Sequence, residues 1–111
     1  GDGTMIRDFT YIDDIIDGMV AAIKQLSKTK NASFNIYNLG QSHPITVNEL
    51  IAKIEKALGK KAVKEYLPIA PGDVQRTWAD ITKAANQLGY KPKTNIETGL
   101  AKFVEWLRQK S

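Results

Sequence analysis

Arg7, Asp73 and Arg76 are the side chains of this 111-residue sequence best placed to hold an anionic, hydroxyl-bearing ligand. A guanidinium can pair with two phosphate oxygens and stays charged at any working pH, so Arg7 is the first candidate. Taken alone it reads better as a surface pair with its neighbour Asp8 that holds the strand in place. Asp73 follows Pro71 and Gly72 in a loop, where its carboxylate could accept two hydrogen bonds from sugar hydroxyls. Its other use is to cap local amides as a turn residue. Arg76 is close enough in sequence to assist Arg7, or it is a solvated side chain. Asp13 and Asp14 invite an acid/base reading, because paired carboxylates can split their pKa values. Adjacent residues on a helix do not face each other, and capping accounts for the pair better. His43 lies between Ser42 and Pro44 with no cysteine or second histidine, and reads as a loop residue. Trp78 and Trp106 could stack on a base or sugar, but each sits beside apolar positions and is expected in the core.

The elements that must position these groups follow from periodicity. Phe9 and Tyr11 alternate with polar neighbours and predict a short strand, after which Asp13 or Asp14 caps a helix. Ile15, Ile16, Met19, Val20, Ile23 and Leu26 give that helix one apolar face, expected to pack inward. Phe34, Ile36, Tyr37 and Leu39 predict a second strand stopped by Gly40, which would make a βαβ unit. Thr46-Val47-Asn48-Glu49 is a capping box, with Val47, Leu50, Ile51, Ile54 and Leu58 as a buried stripe and Gly59 as the left-handed terminus. Ala62 to Leu67 alternates like a strand, and Pro68, Pro71 and Gly72 then break the chain into a loop. Asp80 is the expected N-cap of a short helix closed by Gly89. Thr94 and Glu97 predict a second capping box opening a last helix with Ile96, Leu100, Phe103, Val104 and Leu107. The whole reads as one α/β domain over residues 1–111, a small mixed sheet with about four helices.

That length suffices for a core without staples. Zero cysteines exclude disulfides and thiolate chemistry, and a single histidine argues against a structural zinc site. A cytoplasmic setting fits a cysteine-free chain. No apolar run approaches the roughly 20 residues of a membrane span, and the N-terminus has no apolar signal core, so no membrane is expected as a partner. The formal charge of +4 raises the question of nucleic acid. The lysines are spread along several helices, only Lys60, Lys61 and Lys64 cluster, and a solvated surface is the better reading. The same positive potential would favour an anionic small molecule.

Arg7-Asp8-Phe9-Thr10-Tyr11-Ile12-Asp13-Asp14 resembles a segment of the nucleotide-sugar epimerases, and Pro71-Gly72-Asp73-Val74 and Trp78-Ala79-Asp80-Ile81 follow in that family's order and near its spacing. The resemblance runs from about Gly1 to Trp106 and is greatest to the UDP-glucuronate 4-epimerases. It implies the C-terminal, substrate-binding portion of an extended short-chain dehydrogenase/reductase. In that family the arginine matching Arg7 contacts the diphosphate of the sugar nucleotide and the aspartate matching Asp73 binds the ribose. Many members carry a second phosphate-binding arginine three residues before that aspartate. Here the position is Ala70, which leaves Arg76 as the nearby substitute and the diphosphate less fully neutralised.

Two family motifs are missing. A dinucleotide fingerprint needs closely spaced glycines between strand and helix, but beyond Gly1 and Gly3 the pattern meets Ile6. The residues four after Tyr11, Tyr37, Tyr66 and Tyr90 are Ile15, Gln41, Ala70 and Thr94, so no Tyr-x-x-x-Lys exists. The family uses a bound NAD to take hydride from C4 of the sugar and return it to the opposite face. This chain, lacking the Rossmann half, is expected to bind no NAD, to have no catalytic residue and to be inactive alone. A UDP-sugar is the expected partner, held at most with low affinity, and a homo-oligomer is expected from the faces the missing half would cover. The alternative function is a non-catalytic, self-associating binding or assembly module built on the same fold.

Overall fold

The ladder that organises the chain is only two residues wide on each side, because few backbone groups here find a partner. The computed structural model describes residues 1–110. β1 (Ile6–Arg7) pairs antiparallel with β2 (Ile45–Thr46), with Ile6 opposite Thr46 and Arg7 opposite Ile45. The expected mixed sheet is thus reduced to two antiparallel strands, with a single parallel bridge between Ile6 and Arg76 beside them. Four helices complete the α/β unit: α1 (Ile12–Ser27), α2 (Val47–Leu58), α3 (Thr82–Leu88) and α4 (Ile96–Lys110).

The strands expected at Phe9 to Tyr11, Phe34 to Leu39 and Ala62 to Leu67 do not form among the described residues, and the βαβ unit is absent with them. Alternation supplies a face, but a strand also needs a neighbour to receive its amides and carbonyls. Phe34 and Ile36 are 85% and 67% exposed. Their segment is tied to α3 through side chains instead, by Lys83 Nζ donating to the Ile36 carbonyl at 2.9 Å and Tyr37 Oη to Gln87 Oε1 at 3.0 Å.

Helix ends are settled by single side chains. Thr46 Oγ1 accepts from the Glu49 amide at 3.1 Å, the Glu49 carboxylate accepts from the Thr46 amide, and Gly59 closes α2 in the left-handed conformation at φ 69°, as the sequence predicts. The other caps differ from expectation. Tyr11 precedes α1 with no side-chain cap, so neither Asp13 nor Asp14 serves as one. Asn95 caps α4 in place of the expected Thr94 and Glu97 box, its Oδ1 accepting from the Thr98 amide at 2.8 Å. Glu97 turns to Lys53 on α2, and that hydrogen bond holds its carboxyl below the usual carboxylate range. Asp80 lies two residues before α3 and accepts from the Thr82 amide at 3.0 Å, with Ile81 in the cap position.

Asp14 is 1% exposed, and its two oxygens accept from the amides of Lys93 at 3.1 Å and Thr94 at 3.0 Å. It therefore ties the start of α1 to the approach of α4, across 79 residues of chain. Tyr90 is buried beside it and donates its hydroxyl to the Gly40 carbonyl at 3.1 Å. Burial, reinforced by the Asp14 charge, raises the phenol pKa above its ordinary value. Gly18 lets α1 approach the loop before β2, since a Cβ there would stand 2.6 Å from Leu39 Cδ1.

Among the described residues Ala84, Tyr90 and Val104 are the buried apolar side chains, a small set for a chain of this length. Most of the α1 face expected to pack inward is turned to solvent, with Ile16, Met19, Val20, Ile23 and Leu26 between 42% and 66% exposed and Ile15 alone half-buried. The α2 stripe is only half-buried. The accessible surface is 8348 Å² for 12.3 kDa, where about 6,100 Å² is the norm for a self-contained domain. The radius of gyration is 17.1 Å against roughly 13 Å for a compact chain of this size. These residues build a scaffold that leaves large apolar side chains uncovered on α1, on α4 and along the 63–69 segment.

Candidate functional site

β1 and the loop before Val74 bring Arg7 and Asp73 together from 66 residues apart. The loop turns at Pro71-Gly72, where the Asp73 amide returns to the Ala70 carbonyl at 3.1 Å and Gly72 takes φ 84°, a value that favours glycine. Beyond the turn the chain runs alongside β1. The Ile6 amide donates to the Gln75 carbonyl at 2.9 Å and the Thr77 amide to the Ile6 carbonyl at 3.0 Å. Gln75 Nε2 adds bonds to the Thr4 carbonyl and hydroxyl at 3.1 and 3.2 Å. The loop is thus anchored immediately after the residue that carries the carboxylate.

Arg7 Nη2 meets Asp73 Oδ1 at 2.9 Å and the Val74 carbonyl at 2.6 Å, while Nη1 donates to the Ile6 carbonyl at 2.7 Å. Asp73 Oδ1 also accepts the Val74 amide at 3.0 Å, so the aspartate is a turn residue and an ion-pair partner at once. Both of its bonds fall on one oxygen, which leaves Oδ2 for a further donor. The two side chains are 24% and 39% exposed, within reach of a solute. A guanidinium and a carboxylate fixed side by side can take, respectively, an anionic oxygen and a pair of hydroxyls.

The possible Arg7–Asp8 surface pair is not what forms. Asp8 Oδ2 accepts from the Ser42 amide at 2.9 Å and the Ala79 amide at 3.2 Å, pinning two loops behind β1. Sequence reasoning gave Asp8 no such role, because its partners lie 34 and 71 residues away. Gly40 sits against it, and a Cβ at that position would fall 2.7 Å from Asp8 Oδ2.

Arg76 stands apart from the pair. It is in register with Ile6, and successive strand residues point to opposite faces, so Arg76 does not share the face of Arg7. Its guanidinium lies 4.6 Å over the Trp78 ring, a cation–π contact. Trp78 and Trp106 are 50% and 51% exposed, which corrects the expectation of core packing for both. Trp106 has Phe103 as a ring neighbour at 5.7 Å, which does not enclose it. His43 is exposed in its loop, its Nδ1 3.2 Å from the Gln41 carbonyl oxygen. Among the described residues no group of three or more histidine, cysteine, aspartate or glutamate side chains could hold a metal ion, and no helix is long and apolar enough to cross a membrane.

A family profile described as GDP-mannose 4,6 dehydratase matches residues 1–103. An uncharacterized protein of Methanocaldococcus jannaschii is 50% identical over 94% of this chain and 30% of its own length. A UDP-glucuronate 4-epimerase of Thermodesulfobacterium geofontis is 46% identical over 98% of this chain and 32% of its own. Among solved structures, the UDP-glucuronic acid 4-epimerase of Bacillus cereus with UDP-glucuronic acid and NAD superposes at a TM-score of 0.86. It is 39% identical and covers 100% of this chain and 34% of its own. The UDP-glucose 4-epimerase of Bifidobacterium longum with NAD and UDP gives a TM-score of 0.86 at 32% identity, covering 96% of this chain and 31% of its own. The chain thus spans about a third of the length of the relatives it matches.

Proposed function

The chain belongs to the GDP-mannose 4,6-dehydratase family of extended short-chain dehydrogenases/reductases, and from that membership we propose that residues 1–111 are a single unit forming the substrate-binding part of an NAD-dependent nucleotide-sugar 4-epimerase of the UDP-glucuronate type. The meeting of Arg7 and Asp73 at 2.9 Å is the observation that carries the reading. Arg7 holds the diphosphate of a UDP-sugar and Asp73 its ribose, while Arg76, off the Arg7 face and stacked over Trp78, drops out of the expected set. A cytoplasmic setting belongs to the same proposal, on the absence of cysteine.

NAD does not fit the residues present. The helix N-terminus that would receive a pyrophosphate needs bare backbone and no negative charge. α1 opens after Tyr11 with Asp13 and Asp14 in its first turn, and α2 and α4 open with Glu49 and Glu97. No glycine with positive φ lies directly between a strand and a helix; those glycines are Gly3, Gly59, Gly72 and Gly89. What these residues do by themselves is therefore to bind and orient. Arg7 fixes the diphosphate, and Asp73 fixes the rotation of the ribose about it.

Two charge-assisted hydrogen bonds contribute about 1.5 to 3 kcal/mol each, together no more than the lower end of the translational and rotational cost of binding. UDP should accordingly bind with millimolar affinity or weaker. A titration followed by amide NMR shifts at Arg7 and Val74 tests the assignment. Arg7→Ala should abolish the shifts, and micromolar affinity indifferent to that substitution would show that the site lies elsewhere.

The uncovered α1 face supports a second reading, a self-associating binding or assembly module. Six large apolar side chains on that helix are 42% to 66% exposed, and covering what remains of each is worth about half of the roughly 1.5 to 3 kcal/mol of a full burial. A symmetric dimer at micromolar concentration is the expected result of sedimentation across a concentration series. A monomer at high concentration would remove this reading and leave the first intact.

A further inference from the structure

Resting on the assignment of Arg7 to diphosphate and Asp73 to ribose, we infer that the ion pair between them sets selectivity, admitting a nucleoside diphosphate while turning away a diphosphate that lacks the ribose. Each group is the other's ligand when none is bound. The guanidinium is committed to Asp73 Oδ1 at 2.9 Å and to two backbone carbonyls, at Val74 and Ile6. An arriving phosphate that displaces Asp73 leaves an ionised carboxylate beside an anion. The carboxylate has little room to retreat, because the Pro71-Gly72 turn and the Gln75 and Thr77 bonds hold its loop against β1. A ribose brings hydroxyl donors that Asp73 can accept as it releases Arg7, so only a ligand with both groups satisfies both partners. The exposures of 24% and 39% make the exchange possible from solvent without opening the fold.

Asp73→Asn separates charge from geometry. Its amide oxygen still accepts the Val74 amide and a ribose hydroxyl, but it no longer neutralises Arg7 or repels an anion. Inorganic pyrophosphate and UDP would be titrated against the unaltered chain, Asp73→Asn and Arg7→Ala at one low ionic strength, with the Val74 amide shift as readout. Asp73→Asn should tighten pyrophosphate about fivefold, near the upper end for a partly exposed ion pair. UDP affinity should not rise with it, so the preference for UDP over pyrophosphate should fall by about the same factor. An unchanged preference in Asp73→Asn, with both ligands still lost in Arg7→Ala, would overturn the selectivity role and leave the binding assignment standing. Indifference of both ligands to Arg7→Ala, or no shift from either ligand in any variant, would overturn the assignment and the selectivity role together.

Discussion

Asp14→Ala should cost about 3 to 5 kcal/mol, enough to remove much of the cooperative unfolding transition in urea. Asp14 is 1% exposed and accepts the Lys93 and Thr94 amides at 3.1 and 3.0 Å, two charge-assisted bonds of about 1.5 to 3 kcal/mol each. Alanine would leave two part-buried amides without that acceptor, and the cost of any amide that water does not reach adds to the lost bonds. A chain of this size has only about 5 to 15 kcal/mol in total, and this one buries few apolar side chains fully. Asp14→Asn, with one acceptor oxygen and an amino group facing a donor, should lose roughly half as much. An Asp14→Ala variant within 0.5 kcal/mol of the parent would mean that other contacts set the approach to α4.

That residue shows where the sequence is legible. Thr46, Glu49 and Gly59 were readable as the ends of α2 because every partner in those motifs lies within a few residues. Asp14 was readable only as a helix-start carboxylate, since the amides it serves are 79 and 80 positions away. Phe34 to Leu39 has the alternation of a strand and no strand to pair with, and a single sequence cannot reveal that a partner is missing. Arg7 and Asp73 were each identifiable from residue type, turn chemistry and family resemblance. Their direct pairing was not, because it depends on Ile6, Gln75 and Thr77 aligning the two segments. The amides that Asp8 serves lie equally far from it in sequence, 34 and 71 positions away.

The second large effect concerns catalysis. With NAD supplied, these 111 residues should bind none of it specifically and should leave UDP-glucuronate turnover at buffer background. Enzymes accelerate reactions by about 10⁶-fold or more, and that acceleration rests on positioned reacting groups. The chain offers Ile15, Gln41, Ala70 and Thr94 where a lysine would have to follow a tyrosine by four. Its only histidine is in an exposed loop, and Asp14 is committed to two backbone amides. Arg7 and Asp73 are committed to each other, and neither is a base poised to take a proton from a sugar hydroxyl.

An isomer-resolved assay of UDP-glucuronate incubated with the purified chain and excess NAD is the most direct test of a binding part without its catalytic part. No epimer above the buffer control is the predicted result. Epimer formed in proportion to chain concentration would contradict it, and would place a catalytic group among residues assigned here to binding and scaffold.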